Sequence, residues 1–289
     1  MNTLLREMLS NYQTHSKNEL KQAVLEIVQE IILLGLSKSD FFQKAVFYGG
    51  SSLRIVHQLN RFSEDLDFTL MEKEIDFDFK NYFDLIQQSL EAYGFHMEIN
   101  LKEKKEKSAI QSAFLKGNTQ RHLMNIYPSH PSNLKFSSND LLKVKLELDF
   151  DPPSGASFET HYLLNPIPYS VKTYTLPCLF AGKIHAILCR KWKSRVKGRD
   201  FFDYLWLLSK NVPVSLYHTE QRLKQTGNLE KDERLNKDDL LELLRKRFAL
   251  LDFQQAIKDV RLFAGLNYDF SLWSYDLFWK VTQEKLQTL

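Results

Sequence analysis

Residues 65–70 read Asp-Leu-Asp-Phe-Thr-Leu, polar and apolar in strict alternation. Alternation of period two is the mark of a β-strand with one buried face. Leu66 and Phe68 supply that face, and Asp65 and Asp67 then stand side by side on the other. Carboxylates that close repel unless something positive lies between them. Two readings follow. The strand is half exposed and both aspartates are solvated, or the pair holds a divalent cation. Magnesium prefers carboxylate oxygens and usually keeps substrate phosphates among its remaining ligands.

The residues ahead of this strand bear on the choice. A short apolar run, Ala45 to Tyr48, enters Gly49-Gly50-Ser51-Ser52. A run that short, stopped by glycines, predicts a buried strand ending in a tight turn. Glycine lets backbone approach a ligand without Cβ obstruction. Leu53, Val56 and Leu59 follow at helical spacing, so a helix over Ser52 to Leu59 would offer its N–H groups to a phosphate. The Ser51 hydroxyl can donate to the same anion. Phosphate cradle, helix and carboxylate pair together describe a phosphate-plus-metal site.

A second alternating strand lies further on. Val144, Leu146, Leu148 and Phe150 share one face, and Lys145, Glu147 and Asp149 share the other, until Pro152-Pro153-Ser154-Gly155 stops the run. If this strand neighbours the Asp65 strand, Glu147 or Asp149 completes a carboxylate triad, as metal ligand or as general base. Otherwise it is a solvent-facing edge. Between Lys183 and Asp200 there is no acidic residue, but there are Lys183, Arg190, Lys191, Lys193, Arg195, Lys197 and Arg199. Lys183 and Arg190, seven apart, share a helix face. The strip is either a solvated basic face or a clamp for a triphosphate or an RNA backbone, with Trp192 placed to stack on a base. Asp200 and Asp203 open the next helix, where acids also serve as caps. The histidines are scattered, and His57 and His185 are expected to be incidental.

Helical periodicity also marks Leu20 to Leu34, ending near Gly35, and Phe79 to Tyr93, closed by Gly94. Phe95 to Leu101 alternates weakly, and Lys102 to Lys107 reads as a charged turn. From Pro177 the pattern is helical almost to the end, with helices over Leu179 to Cys189, Phe201 to Leu208, Leu240 to Leu251 and Phe253 to Phe263. A net charge of only +3 confines any nucleic-acid affinity to a local patch. The two cysteines, Cys178 and Cys189, match no metal or redox spacing and are expected to be reduced thiols. The N-terminus lacks an apolar signal region, and the longest apolar stretch, Ile31 to Leu36, is too short to span a bilayer.

Gly49-Gly50-Ser51, then thirteen residues, then Asp65-Leu66-Asp67-Phe68, resembles the signature of the DNA-polymerase-β nucleotidyltransferase superfamily. The longer strings FYGGSSLRIVHQLNRFSEDLDFTL, KVKLELDF and FAGKIHAILCRKWKSRVKGRDFFDYLWLL resemble the AbiEii/AbiGii-type nucleotidyltransferase toxins over roughly residues 40 to 210. The resemblance implies an α+β fold: a polymerase-β-like core over residues 1–175, with a mixed sheet and flanking helices, and a helical domain over 176–289 that completes the active site. It implies that Asp65 and Asp67 hold Mg2+ or Mn2+. Gly49, Gly50, Ser51, Arg54, Arg190 and Arg199 would contact substrate. Lys183 and Asp200 would be the essential residues of the third and fourth motifs. Glu147 aligns better than Asp149 with the second, since Lys145 precedes it by two. Most relatives carry threonine where Ser51 or Ser52 stands, which keeps the hydroxyl. The implied partners are an NTP, an RNA acceptor such as a tRNA 3′ end, and a cognate antitoxin, in the cytoplasm and with no membrane. The alternatives are transfer to a small molecule or protein, or a silent binding protein.

Overall fold

The computed structural model describes residues 3–12, 16–74, 76–100, 119–128, 142–192, 196–264 and 268–289. The chain forms two compact units. One comprises Met1–His57, Phe62–Pro152 and Glu159–Thr173, and the other Gln58–Arg61, Pro153–Phe158 and Tyr174–Leu289.

The first unit opens with helices α1 (Thr3–Ser10) and α2 (Lys17–Ser37). A capping box starts α2: the Ser16 hydroxyl accepts from the Glu19 N–H while the Glu19 carboxylate accepts from the Ser16 N–H. The helix runs two residues past Gly35, where the periodicity placed its end. Gly35 is no cap. A Cβ there would lie 2.9 Å from the Ile86 Cα, so the glycine lets α2 press on α5 (Phe83–Ala92). Between them come α3 (Phe41–Lys44), β1 (Ala45–Tyr48), α4 (Gly49–Ile55), β2 (Asp65–Leu70) and a 3₁₀ turn, Phe79–Tyr82. Helix α4 begins at the first glycine and stops at Ile55, earlier at both ends than its apolar spacing suggested. Gly94 ends the α5 segment with φ +82°, the left-handed conformation expected there.

Strands β3 (Phe95–Asn100), β4 (Thr119–Pro128), β5 (Leu142–Asp149), β6 (Phe158–Leu163) and β7 (Tyr169–Tyr174) complete a seven-stranded sheet of order β3-β4-β5-β2-β1-β7-β6. The sheet is mixed. β1 runs antiparallel to β2, β2 parallel to β5, and β1 parallel to β7. β3 and β4 extend it as antiparallel neighbours beyond β5. The charged run Lys102 to Lys107 lies outside the described residues. The core joins α2, α5 and the apolar faces of β1, β2 and β5, with Ile27, Ile31, Phe47, Leu66, Phe68, Leu146 and Leu148 fully buried. Phe41, Phe68, Phe79 and Tyr82 meet edge-on or stacked beneath it.

The second unit is helical: α6 (Leu176–Cys189), α7 (Gly198–Ser209), α8 (Leu216–Gln225), α9 (Lys237–Ala249), α10 (Phe253–Ala264) and α11 (Tyr275–Lys285). Pro177 sits in the first turn of α6, where its missing N–H costs nothing. Phe201, Phe248 and Phe278 pack ring to ring at the centre. A Cβ on Gly198 would overlap the Ala256 carbonyl oxygen, so that glycine seats the start of α7 against α10. Cys178 and Cys189 are both free thiols. No helix among the described residues is long and apolar enough to cross a membrane.

Candidate active site

In the first unit, β2 and β5 are adjacent and parallel, so the condition set by the alternation of residues 144–150 is met. The register places Asp65 beside Lys145, Asp67 beside Glu147, and Thr69 beside Asp149. Partners in register share a sheet face, so Asp65, Asp67 and Glu147 stand together on one half-buried surface. Glu147 also receives the Lys145 ammonium. Asp149 lies one pair further along, and its Oδ1 accepts the Asp151 N–H at 3.0 Å, which turns the chain out of the strand.

The glycine turn closes on this surface. Tyr48 pairs with Asp67 across the β1–β2 ladder, and Gly49 follows with φ +83°. A Cβ on Gly49 would overlap the Asp67 carboxylate. Only glycine satisfies both the left-handed backbone and that close approach. Ser51 faces inward. It is fully buried, and its hydroxyl donates to the Asp65 carbonyl, fastening α4 to β2. What Ser51 can offer a phosphate is therefore its backbone N–H. The helix cap is Tyr48, whose side chain makes no cap hydrogen bond. Arg54, expected to contact substrate, bonds Glu26 at 2.7 Å and lies over the Phe62 ring. Its charge is paired with Glu26.

The second unit carries an ionic cluster around Asp203. Arg61 grips that carboxylate with two bonds, Nε to Oδ1 at 2.6 Å and Nη2 to Oδ2 at 2.5 Å. Lys183 reaches Asp203 at 2.7 Å and Asp200 at 3.6 Å, and Arg190 reaches Asp200 at 2.8 Å. Asp203 is fully buried. Burial alone would raise its pKa, but Arg61 and then Lys183 outweigh that and hold the carboxyl below the ordinary range. Asp203 is thus no helix cap. The sequence marks Asp203 only as a possible cap and Arg61 not at all, although both stand inside the strings RFSEDLDF and GRDFFDYL.

Among the described residues of the basic segment, several are paired within their own unit. Arg190 belongs to Asp200, Arg199 approaches Asp259 at 3.9 Å and covers the Phe263 ring at 3.8 Å, and Trp192 carries the Arg247 guanidinium on its face at 3.5 Å. The Trp192 face expected to stack on a base is occupied by that cation. Lys193 and Arg195 lie outside the described residues. His185 bonds Thr226 at 3.0 Å, an ordinary structural contact.

Solved structures share this fold, three of them as follows. MenT4, a nucleotidyltransferase toxin from Mycobacterium tuberculosis H37Rv, superposes with a TM-score of 0.60 at 13% identity, covering 99% of this chain and 88% of its own. JHP933 from Helicobacter pylori gives 0.52 at 18% identity, covering 90% and 88%. A nucleotidyltransferase structure from H. pylori gives 0.50 at 19%, covering 89% of each. Among curated proteins none is significantly similar in sequence. The family model that matches most of the chain makes the protein a nucleotidyltransferase. Residues 31–280 match the model of the AbiEii nucleotidyl transferase toxins of type IV toxin–antitoxin systems, and the chain belongs to that family.

Proposed function

We propose that this nucleotidyltransferase toxin moves a nucleoside monophosphate from an NTP to a hydroxyl of an RNA, a tRNA 3′ end, in the cytoplasm, opposed by a cognate antitoxin. The observation that carries the chemistry is the register of β2 on β5, which sets Glu147 beside Asp67 on the face of Asp65. The donors fit a hard divalent cation, since all three are carboxylates and the Gly49 turn leaves room against Asp67 that a Cβ would fill. Asp65 and Asp67 would hold Mg2+ or Mn2+, which when bound supplies Lewis-acid stabilisation of charge on the α-phosphate. Glu147 serves as third ligand or as the base that takes the acceptor proton. The backbone at Gly49, Gly50 and Ser51 lets a phosphate come close. Lys183, held by Asp200 and Asp203, is assigned to the triphosphate on the strength of the motif it matches.

The RNA acceptor rests on family resemblance. A second reading, transfer to a small molecule or a protein, is favoured by one specific observation: Arg190, Arg199 and Trp192 are engaged by partners inside the protein. The deciding experiment incubates the protein with each labelled NTP and total RNA, beside Asp67→Ala. Label in RNA with wild type alone supports the proposal. Label only in a protein or small-molecule fraction selects the second reading, and no transfer to any acceptor refutes both.

A further inference from the structure

A cluster of nitrogen and oxygen donors lies in the first unit apart from the carboxylate face. His57 follows the last turn of α4, and Glu159 and His161 stand two residues apart on strand β6 at the end of the sheet order, hence on one side of it. One ring nitrogen of each histidine and one carboxylate oxygen of Glu159 all lie within 4.8 Å of one another. Both Nε2 atoms are buried and have no hydrogen-bond partner, although Glu159 Oε1 is 3.0 Å from the His161 Nε2. The rings meet edge to face at 81° with centroids 5.1 Å apart. The His57 Nε2, buried without a hydrogen-bond partner beside these groups, is costly unless something fills the space next to it.

We propose that His57, Glu159 and His161 form a binding site for a transition-metal ion of the zinc class, separate from the magnesium-type carboxylate set and joining the end of α4 to strand β6. Two imidazoles and one carboxylate suit zinc or cobalt, whereas magnesium favours oxygen donors alone. Three protein ligands leave further positions for water. The site has a mechanical consequence. Helix α4 starts at the glycine turn packed on Asp67, so a metal at its other end would fix the short element that shapes the phosphate cradle.

The test uses full-length protein stripped with chelator and kept in excess Mg2+, titrated with Zn2+ by calorimetry and with Co2+ by visible absorption. Wild type should bind Zn2+ and give the strong Co2+ bands of a low-coordinate, nitrogen-containing site. His57→Gln and His161→Gln should each weaken Zn2+ binding by about a hundredfold or more. Glu159→Gln, which keeps shape and removes charge, should weaken it in the same direction. Asp65→Asn with Asp67→Asn should leave it unchanged. Zn2+ should raise the melting temperature of wild type and not that of His57→Gln. The proposal fails if wild type binds no Zn2+ over Mg2+, if the Glu159 and histidine variants bind as wild type does, or if the aspartate pair abolishes the binding.

Discussion

At Asp67 a single carboxylate answers to three neighbours: Tyr48 in register on one side, Glu147 on the other, and Gly49 against its own oxygens. Asp65→Ala or Asp67→Ala should lower nucleotide transfer by roughly a thousandfold or more, because losing a metal ligand removes several kcal/mol of transition-state stabilisation. Melting temperature should barely fall, since the two acids repel when no cation is present, and excess EDTA should reproduce the loss in wild type. Turnover undiminished by EDTA would contradict the metal role. Asp203 predicts the opposite balance. Arg61→Ala removes the two-bond partner of this buried carboxylate, leaves it to Lys183, and should cost about 3 kcal/mol, read by denaturant unfolding. The sign of the pH effect follows from its depressed pKa. The stabilisation is complete above the unfolded value of 3.8 and is lost as pH falls through the lower folded value. Asp203→Asn should therefore flatten the acid limb of the stability curve; an unchanged limb would mean that other carboxylates dominate it.

Among the elements, two glycines fix how helices meet their neighbours. Alanine normally favours a helix interior over glycine by about 1 kcal/mol. At Gly35 the sign should reverse, because the added Cβ meets the Ile86 Cα at 2.9 Å and the Leu85 carbonyl oxygen at 3.0 Å, both backbone and unable to swing aside. Gly35→Ala should lower the melting temperature while leaving far-UV helicity intact, and a stabilised variant would show that α2 and α5 can part cheaply. Gly49→Ala acts on another element. It strains a φ of +83° and displaces Asp67, so kcat should fall further than a loss of about 1–2 kcal/mol in stability explains. If kcat and stability fall in proportion, the glycine serves the fold alone. Helices were legible from their period, but their ends were not. The apolar spacing of α4 pointed to Leu59, whereas the helix stops at Ile55. Strand β6 gave no clear apolar face, since it exposes every other residue and buries none fully.

Over the whole molecule the net charge is +3, too small to draw in a polyanion without a local patch. The cations of the basic segment differ in what they can offer, since Arg190 and Arg199 are held by aspartates while Lys191 is exposed. If RNA tracks this segment, Lys191→Glu with Lys197→Glu should reduce the log–log salt slope of RNA binding by about 2, with NTP affinity by calorimetry unchanged. Identical slopes in the two proteins would remove the segment from the acceptor site and favour the small-molecule or protein acceptor. What the sequence determined by itself were the local facts: the alternation that puts Asp65 and Asp67 on one face, the glycines that admit a tight turn, and the strings that carry the family. Periodicity and backbone sterics act within a few residues, so they can be read along the chain. Tertiary structure alone decided which distant groups meet. Register chose Glu147 as the neighbour of Asp67, eighty residues away. Burial turned Asp203 from a cap into the partner of Arg61 and Lys183. Folding also brought His57 to His161 across 104 residues of chain. Strand pairing and desolvation depend on distances through space, and sequence separation does not encode them.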